Sequence, residues 1–178
     1  MKRKAVFFDR DGVLNYAVLR NGKTFPPPTL DDLRIPPDAF SALTSLKAAG
    51  YLLVGATNQP DVARGTTPRQ TVEAINLKLM QELPLDEIRV CYHDNQDNCL
   101  CRKPQPGLLL EAASIHAIDL SNSIMIGDRA KDLEAGARVG CKTIWMRYDH
   151  TLEEVQGSDF IATSLSEAAQ WIQALQNI

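Results

Sequence analysis

Two carboxylates stand one residue apart, directly after a short apolar run near the start of the chain. The segment reads AVFFDRDGVLN over residues 5–15, in which Asp9 and Asp11 are the pair and Gly12 permits a tight turn. A buried parallel strand presents ligands at its carboxyl end, where Asp9 stands. Two carboxylates this close repel each other unless a cation lies between them. The pattern therefore predicts a site for a divalent cation and a phosphate, with a simple strand cap as the alternative.

A second cluster of residues with metal-binding chemistry lies in the middle of the chain. The segment CYHDNQDNCLC holds Cys91, His93, Cys99 and Cys101. Three thiolates and one imidazole form a complete tetrahedral set for Zn²⁺ with no open position, so a zinc ion here is predicted to be structural. The alternative is a set of reduced core cysteines, which is our interpretation of Cys141. Zinc is favoured because three cysteines in a loop rich in Asp, Asn and Gln cannot all be core residues.

Strand-like and helix-like patterns alternate along the rest of the chain. Further segments predicted to be strands cover residues 51–57, 87–93, 123–127 and 141–147. Segments with helical periodicity or helix-start signals cover residues 38–50, 68–83, 106–117, 129–140 and 164–175. Asp38 is predicted to cap the first of these helices. The alternation predicts a three-layer α/β sandwich with a mainly parallel, Rossmann-like sheet.

Local signals predict several of the connections. Asn21-Gly22 favours a type I′ turn, which predicts a small hairpin flap over residues 16–25. The proline-rich segment after it is predicted to be a loop at the mouth of the site, with a simple spacer as the alternative. Two capping boxes are predicted near the end of the chain, at Thr151 with Glu154 and at Ser164 with Glu167.

Bulk properties limit the classes of function. The 178 residues suffice for one domain with a full core, and 44% apolar with 23% charged residues is typical of a globular protein. A net charge of −3 offers no electrostatic footprint for nucleic acid or anionic membrane. The start MKRKAVFF is too poor in apolar residues for a signal peptide, and no run reaches transmembrane length. We predict one cytoplasmic, monomeric domain over residues 1–178, with cysteines reduced or metal-bound and a small-molecule substrate.

Four motifs, in order, resemble the haloacid-dehalogenase (HAD) superfamily of phosphohydrolases. They are FFDRDGVLN, Thr57 in YLLVGATNQ, Lys103 in CRKP, and Gly127 with Asp128 in SIMIGDRAKD. The resemblance implies an α/β fold and a phosphoric monoester hydrolase. The segments at 16–37 and 58–86 are too short or too simply helical for a separate cap domain, so the resemblance is to the capless type.

The resemblance also implies roles for the aspartates of the first and last motifs. Asp9 would be the nucleophile that forms an aspartyl-phosphate, and Asp11 would protonate the leaving oxygen and later deprotonate the attacking water. Mg²⁺ is the implied cofactor, held by Asp9, the backbone carbonyl of Asp11, and Asp128. Asp132 lies one helical turn after Asp128 and is predicted to support the site from behind.

Residues near the same motifs are predicted to bind phosphate. Thr57 offers a hydroxyl with Asn58 beside it, and Lys103 brings a positive charge to the transferring phosphoryl group. Arg102 and Arg129 are predicted to bind a second phosphate or a carboxylate through their forked guanidinium groups. The substrate predicted from this set is a small phosphorylated metabolite.

The predicted zinc loop, directly before CRKP, narrows the resemblance to two branches of the superfamily. One branch hydrolyses the 7-phosphate of D-glycero-D-manno-heptose 1,7-bisphosphate, and the other hydrolyses histidinol phosphate. Ala63-Arg64-Gly65 resembles the first branch, although Pro60 and Asp61 stand where that branch commonly has Ser-Gly. The short span between His93 and Cys99 resembles the second branch.

Arginines decide between these two substrates in our prediction. Arg20, Arg64, Arg102 and Arg129 are predicted to line the mouth of the site, where they would hold a second phosphate and repel a cationic amine. The heptose bisphosphate is therefore the predicted substrate, and histidinol phosphate is the alternative. A catalytically idle HAD-like domain that binds a partner through its zinc loop is the alternative of another class.

Overall fold

Six of the eight strands in the described residues form one parallel sheet at the centre of the fold. The computed structural model describes residues 2–148 and 155–177. In chain order the strands are β1 (Ala5–Phe8), β2 (Val18–Arg20), β3 (Lys23–Phe25), β4 (Leu52–Asn58), β5 (Glu87–Cys91), β6 (Ile124–Gly127), β7 (Lys142–Met146) and β8 (Phe160–Ala162). All except β2 and β3 join in the order β5-β4-β1-β6-β7-β8, and each neighbouring pair is parallel. The predicted parallel sheet is confirmed, with β1 and its acidic motif in the interior of the sheet.

Helices cover both faces of this sheet. They are α1 (Ala39–Ala48), α2 (Arg69–Glu82), α3 (Gly107–His116), α4 (Ala130–Ala137) and α5 (Leu165–Ala174). Val6 and Phe8 of β1 pack in one apolar cluster with α1, α2 and α5, whereas Ala5 and Phe7 pack in a second cluster with α3. Successive strand residues point to opposite faces, so a fully apolar strand needs both faces covered. The predicted three-layer sandwich is therefore confirmed.

A small antiparallel hairpin stands apart from the main sheet. β2 and β3 pair from Val18 with Phe25 to Arg20 with Lys23. Its turn residues, Asn21 and Gly22, both have positive φ angles, of 50° and 72°, as a type I′ turn requires. This hairpin lies where the sequence predicts the flap.

Four details of the helix ends and the sheet edge differ from the predictions or fall outside the described part. Asp38 does not cap α1 with its side chain; instead its carboxylate accepts a hydrogen bond of 2.8 Å from the backbone N–H of Ser166, in the first turn of α5. Ser164 caps α5 through the N–H of Glu167, but Glu167 accepts from the N–H of Thr163 rather than that of Ser164. The short edge strand β8 was not predicted. The proposed Thr151–Glu154 box lies outside the described residues.

The five α-helices of the described residues are shorter than a membrane-spanning helix. In residues 2–148 and 155–177, no helix combines the length and the hydrophobicity that crossing a membrane requires. The longest of the five is α2, which has 14 residues. A helix needs about 20 apolar residues to span the hydrocarbon core.

Candidate active site

The predicted catalytic residues meet at the carboxyl edge of the parallel sheet. Asp9 follows β1, Thr57 lies near the end of β4, and Asp128 follows β6; these are three adjacent strands. A cavity of about 240 Å³ opens over them. Its walls come from the β2–β3 hairpin, the loop after β4, the segment around Arg102 and the start of α4. Because β1 pairs with both neighbours, the fold brings distant motifs to one place, as expected for a parallel α/β sheet.

Lys103 is the charged centre of this site. Its side chain is buried, and its ammonium nitrogen lies 2.7 Å from Asp9 Oδ1 and 2.7 Å from Asp132 Oδ1. Burial acts to raise the pKa of Asp9, but the nearby ammonium outweighs it and holds that pKa below its ordinary value. Burial acts to lower the pKa of Lys103, but the two carboxylates outweigh it and raise that pKa. Asp132, which was predicted to support the site, therefore helps to fix the Lys103 ammonium group beside Asp9, the proposed nucleophile.

Asp128 completes a cluster of three carboxylates. Oxygen atoms of Asp9, Asp128 and Asp132 all lie within 4.8 Å of one another. Burial raises the pKa of Asp128 well above its ordinary value, and the charges of Asp9 and Asp132 raise it further. Its Oδ1 atom is buried and has no hydrogen-bond partner among the described residues. An orphaned carboxylate oxygen in an acidic cluster fits a divalent cation, so this observation agrees with the Mg²⁺ site that the motif predicts.

Gly12 allows this close approach of the acids. Its φ angle is +99°, and a Cβ atom built there would lie 2.3 Å from Asp128 Oδ2. Any side chain at this position would clash with the carboxylate and would also strain the backbone. The glycine of the first motif is thus required by the contact with Asp128 as well as by the turn.

The carboxylate of Asp11 is bound by donors outside the acidic cluster. Its Oδ1 accepts hydrogen bonds from Nε and Nη2 of Arg10, at 3.1 and 3.0 Å, and from Nδ2 of Asn15 at 3.1 Å. Its Oδ2 accepts from the same Nη2 at 3.0 Å and from Nε2 of Gln59 at 2.7 Å. Asp11 lines the cavity, so it lies within reach of a bound substrate. Its side chain is already engaged, which leaves its backbone carbonyl as the ligand proposed for a cation.

Thr57 and Asn58 use their side chains differently. Thr57 lines the cavity, and its hydroxyl oxygen accepts a hydrogen bond of 2.9 Å from Gln59 Nε2. The hydroxyl proton of Thr57 therefore stays available for a phosphate oxygen. Asn58 instead binds the backbone of Lys103 twice, since its Nδ2 donates to the carbonyl at 3.0 Å and its Oδ1 accepts from the N–H at 3.0 Å. The geometry gives Asn58 a role in fixing the loop that carries Lys103.

The cationic groups at the mouth are not equivalent. Arg64 is held by Asp94, with contacts of 2.8 and 2.6 Å, and by Asp61 at 3.2 Å, so its charge is largely balanced. Arg102 donates to Asn95 Oδ1 at 2.8 Å, and Arg129 donates to Thr24 of the hairpin at 2.8 Å. Both of these line the cavity, as predicted.

Two other cationic side chains differ from the prediction. Arg20 is exposed on the hairpin and does not line the cavity, so its predicted place there is wrong. The two-residue turn of the hairpin places this residue at the outer end of β2, away from the cavity lining. Lys131, in the first turn of α4, lines the cavity and was not predicted. It has no ion-pair partner within 4 Å in the part of the chain that the structure describes.

The three cysteines and His93 of the predicted zinc loop converge on one point. The sulfur of Cys101 lies 3.2 Å from that of Cys91 and 3.5 Å from that of Cys99, and the Cys91–Cys99 distance is 3.6 Å. Nδ1 of His93 lies 3.6 Å from the sulfur of Cys91 and 3.3 Å from that of Cys101. Tetrahedral Zn–S bonds of about 2.3 Å separate two sulfurs by about 3.8 Å. The spacing of the four ligand atoms thus fits a zinc ion at their centre, whereas Cys141 lies outside the cluster.

We expect one Zn²⁺ per chain in protein purified without added zinc. Cys101→Ser should lose the metal and lower the Tm, because one of the four ligands is removed and the loop is no longer tied together. Cys141→Ser is the matched control and should keep the metal. Metal analysis measures the zinc content, and thermal unfolding measures the Tm. A zinc content near zero in the wild-type protein would show that the three cysteines and His93 are ordinary packed residues that bind no metal.

Sequence reasoning missed the residues that support Asp11. Arg10 is completely buried although it is an arginine, and Asn15 and Gln59 are buried as well. A signal for Gln59 was present, since it follows Thr57 by two residues and a strand presents alternate residues to one face. Arg10 carries no comparable signal, because a charged residue between two aspartates is ordinarily expected at the surface.

Comparison with known proteins identifies the family. A family profile described as HAD-hydrolase-like matches residues 100–168. The chain is 34% identical over 175 residues to the D-glycero-beta-D-manno-heptose-1,7-bisphosphate 7-phosphatase of Helicobacter pylori strain J99, which covers 95% of this chain and 97% of that protein. It is 32% identical over 189 residues to the protein of the same name from Pasteurella multocida, covering 98% and 100% of the two chains.

A solved structure shows the same relationship. The crystal structure of D,D-heptose 1,7-bisphosphate phosphatase from B. bronchiseptica, complexed with magnesium and phosphate, superimposes with a TM-score of 0.81 at 30% identity. The match covers 98% of this chain and 99% of that one. The predicted fold and phosphohydrolase class are thereby confirmed, and the idle-domain alternative is not supported. The chain belongs to the heptose-bisphosphate phosphatase family of HAD-like phosphoric monoester hydrolases.

Proposed function

We propose that this phosphatase removes the 7-phosphate of D-glycero-D-manno-heptose 1,7-bisphosphate in a Mg²⁺-dependent reaction through an aspartyl-phosphate on Asp9. The observation that carries the reaction type is the buried Lys103, which bridges Asp9 and Asp132 beside Asp128. A carboxylate held ionised next to a fixed cation is suited to attack an anionic phosphate. The choice of substrate is supported by the name that relatives with 32–37% identity carry.

Asp9, Asp128 and the backbone carbonyl of Asp11 are the proposed Mg²⁺ ligands. The orphaned Asp128 Oδ1 and the three clustered carboxylates support this site. The B. bronchiseptica relative, whose structure contains magnesium and phosphate, supports the choice of ion. When bound, Mg²⁺ would offset the negative charge of the carboxylates and polarise a phosphate oxygen.

The chain's own residues then divide the reaction into two steps. An Asp9 oxygen attacks phosphorus, the bond from phosphorus to the sugar oxygen breaks, and Asp11 gives its proton to that leaving oxygen. In the second step Asp11 takes a proton from a water molecule that attacks phosphorus, and the bond from phosphorus to Asp9 breaks. Inorganic phosphate leaves, Asp9 is again a carboxylate, and Asp11 again carries a proton.

Thr57 and Lys103 are the proposed ligands of the transferring phosphoryl group. The Thr57 hydroxyl already accepts from Gln59, so its own proton is directed elsewhere and can be donated to a phosphate oxygen. Lys103 is held by Asp9 and Asp132 before substrate arrives. A fixed charge of this kind stabilises the transition state without reorganisation.

The second phosphate of the substrate is proposed to bind Arg102 and Arg129, with Lys131 beside them. Arg64 contributes less in this proposal, because Asp94 and Asp61 already balance its charge. A phosphate dianion would be attracted by the remaining three cations. The protonated amine of histidinol phosphate would be repelled by the same set.

Direct competition between the two substrates tests this proposal. We expect kcat/KM for the heptose bisphosphate to exceed that for histidinol phosphate, measured by phosphate release with Mg²⁺. Arg102→Ala should raise the KM for the bisphosphate by about tenfold or more, the cost of one lost charge-assisted hydrogen bond. The KM for a simple sugar monophosphate should change little.

Arg20→Ala is the matched control for this experiment, because Arg20 lies outside the cavity. Its KM for both substrates should equal that of the wild-type enzyme. A higher kcat/KM for histidinol phosphate than for the bisphosphate would reverse the substrate assignment, while the reaction type would stand. Absence of turnover of any phosphomonoester by folded, metal-loaded protein would overturn the mechanism as well.

Zinc is proposed to hold the loop that carries the specificity groups. Asp94 and Asn95 lie in that loop and bind Arg64 and Arg102, respectively. Four metal–ligand bonds would keep these partners in place. The cytoplasmic location, the monomeric state and the organisation as one domain over residues 1–178 remain predictions.

A further inference from the structure

Gln59 joins two groups of the active site that come from different segments, the loop after β1 and the strand β4. Its side chain is buried, and its single amide nitrogen donates to Asp11 Oδ2 at 2.7 Å and to Thr57 Oγ1 at 2.9 Å. Asp11 is 48 residues away in sequence, and its loop follows β1 rather than β4. One amide group therefore connects the proposed acid–base residue with the proposed phosphate ligand.

The remaining donors to Asp11 come from its own turn. Arg10 and Asn15 bind it from the segment that follows β1. Arg10 is in turn anchored by its Nη1 atom to Oδ1 of Asn76 in α2, at 3.0 Å. Among the described residues, Gln59 is the donor to this carboxylate that comes from the segment directly after β4, the strand that carries Thr57. It thus links the orientation of the Asp11 carboxylate directly to Thr57, a link that Arg10 and Asn15 do not make.

Proton transfer to a leaving oxygen requires the carboxyl group to be oriented within hydrogen-bond reach of that oxygen. We propose that Gln59 is a positioning residue that orients the Asp11 carboxyl group relative to the phosphate bound at Thr57. This inference rests on the acid–base role proposed for Asp11. Gln59 acts through Asp11 and Thr57 and makes no contact with the reacting atoms in this proposal. An amide suits the task, because its two N–H groups donate to the Asp11 carboxylate and to the Thr57 hydroxyl oxygen at the same time.

The leaving group provides the test. A sugar alkoxide needs a proton as the bond to phosphorus breaks, whereas p-nitrophenolate is a weak base and leaves without one. Mispositioning of the acid should therefore lower kcat/KM for the sugar bisphosphate and spare p-nitrophenyl phosphate. We expect Gln59→Leu to lose about 10²-fold in kcat/KM for the sugar substrate, within the range of general acid catalysis. The loss with the aryl ester should stay under about threefold, since that ester needs no proton donor.

Three further variants complete the experiment, all assayed with Mg²⁺. Asp11→Asn should show the same selective loss, and Gln59→Glu should show it too, because a carboxylate at this position cannot donate to Asp11. Gln59→Glu also carries the test if Gln59→Leu does not fold. Gln70→Leu, an exposed glutamine of α2, is the matched control and should leave both substrates unaffected.

The outcomes separate this inference from the proposed function. Wild-type enzyme that turns over neither ester would refute the proposed function itself. Asp11→Asn could lose kcat/KM selectively for the sugar substrate while Gln59→Leu loses it equally for both esters, or not at all. That result would overturn the positioning role of Gln59, while the proposed function would stand. If Asp11→Asn lowered kcat/KM equally for both esters, Asp11 would not be the general acid, and the role of Gln59 would be refuted as well. The phosphate-ester hydrolysis itself would still be established.

Discussion

In the Asp9→Asn variant, we expect kcat to fall by at least about 10⁴-fold for every phosphate ester. Asparagine has the shape of aspartate, but its amide is not nucleophilic and cannot attack phosphorus. The fold should survive, because Lys103 keeps its contact of 2.7 Å with Asp132. Mg²⁺ affinity should be reduced and not abolished, since the amide oxygen and Asp128 remain. Steady-state phosphate release, thermal unfolding and calorimetric titration with Mg²⁺ measure these three quantities.

Asp31→Asn is the matched control for this variant. Asp31 is exposed in the short helical turn before α1, so the same chemical change there should leave kcat unaltered. Acid quenching during turnover should trap a phosphorylated protein with the wild-type enzyme and none with Asp9→Asn. Substantial residual turnover by Asp9→Asn, or a covalently phosphorylated Asp9→Asn protein, would show that another residue is the nucleophile.

Lys103→Met is expected to have the second largest effect, on both catalysis and stability. Methionine fills similar space but leaves Asp9 and Asp132 without their common cation. Loss of one partner from a buried ion pair costs about 3–5 kcal/mol. Loss of a charge that stabilises the transition state costs about 10²–10³-fold in kcat. Chemical denaturation in Mg²⁺-free buffer and phosphate-release kinetics with Mg²⁺ measure the two effects separately.

A double-mutant cycle with Asp132→Asn sharpens this prediction. Asp132 is fully buried and its carboxylate contacts Lys103 at 2.7 Å. Once the lysine is absent, neutralising Asp132 should remove an uncompensated charge, so the double variant should be more stable than Lys103→Met alone. We expect a coupling free energy of about 1–3 kcal/mol, the range for residues in direct contact. If the changes in unfolding free energy of the two single variants simply added up in the double variant, Lys103 and Asp132 would not stabilise each other.

Activity should respond differently in the same cycle. Neutralising Asp132 cannot restore the positive charge that faces the phosphoryl group, so the double variant should be as inactive as Lys103→Met. Recovery of stability without recovery of kcat would separate the structural role of the bridge from its catalytic role. Recovery of both would mean that Lys103 acts only by balancing the acids around it.

Much of the site could be predicted from the sequence, because its parts are local. The apolar run before Asp9 places that acid at the carboxyl end of a strand, and Asp128 stands after another such run. Parallel strands bring those ends to one edge, so the meeting of Asp9, Thr57 and Asp128 follows from strand-helix alternation. The four proposed zinc ligands lie within eleven residues, so they too could be predicted from residue type and spacing.

Only the tertiary structure decided which side chains pair across that edge. The contact of Lys103 with Asp9 spans 94 residues, and that of Gln59 with Asp11 spans 48. Such pairings depend on how loops pack and which rotamers they allow, and neither is a property of a local segment. The buried position of Arg10 has the same origin, since Asn76, which accepts a hydrogen bond from it, is 66 residues away in the sequence.

The arginines at the mouth of the cavity show most clearly what the sequence predicts and what only the tertiary structure decides. From sequence, Arg20, Arg64, Arg102 and Arg129 are four equal cations. In the structure, Arg20 lies outside the cavity, and Arg64 is balanced by Asp94. The sequence by itself predicted the reaction type through its resemblance to the HAD superfamily, the sheet edge through its strand ends, and the proposed metal ligands through that resemblance and their residue types and spacing. The tertiary structure alone decided which charges remain available to a substrate, because the electrostatic field at a site depends on every neighbour within a few ångströms.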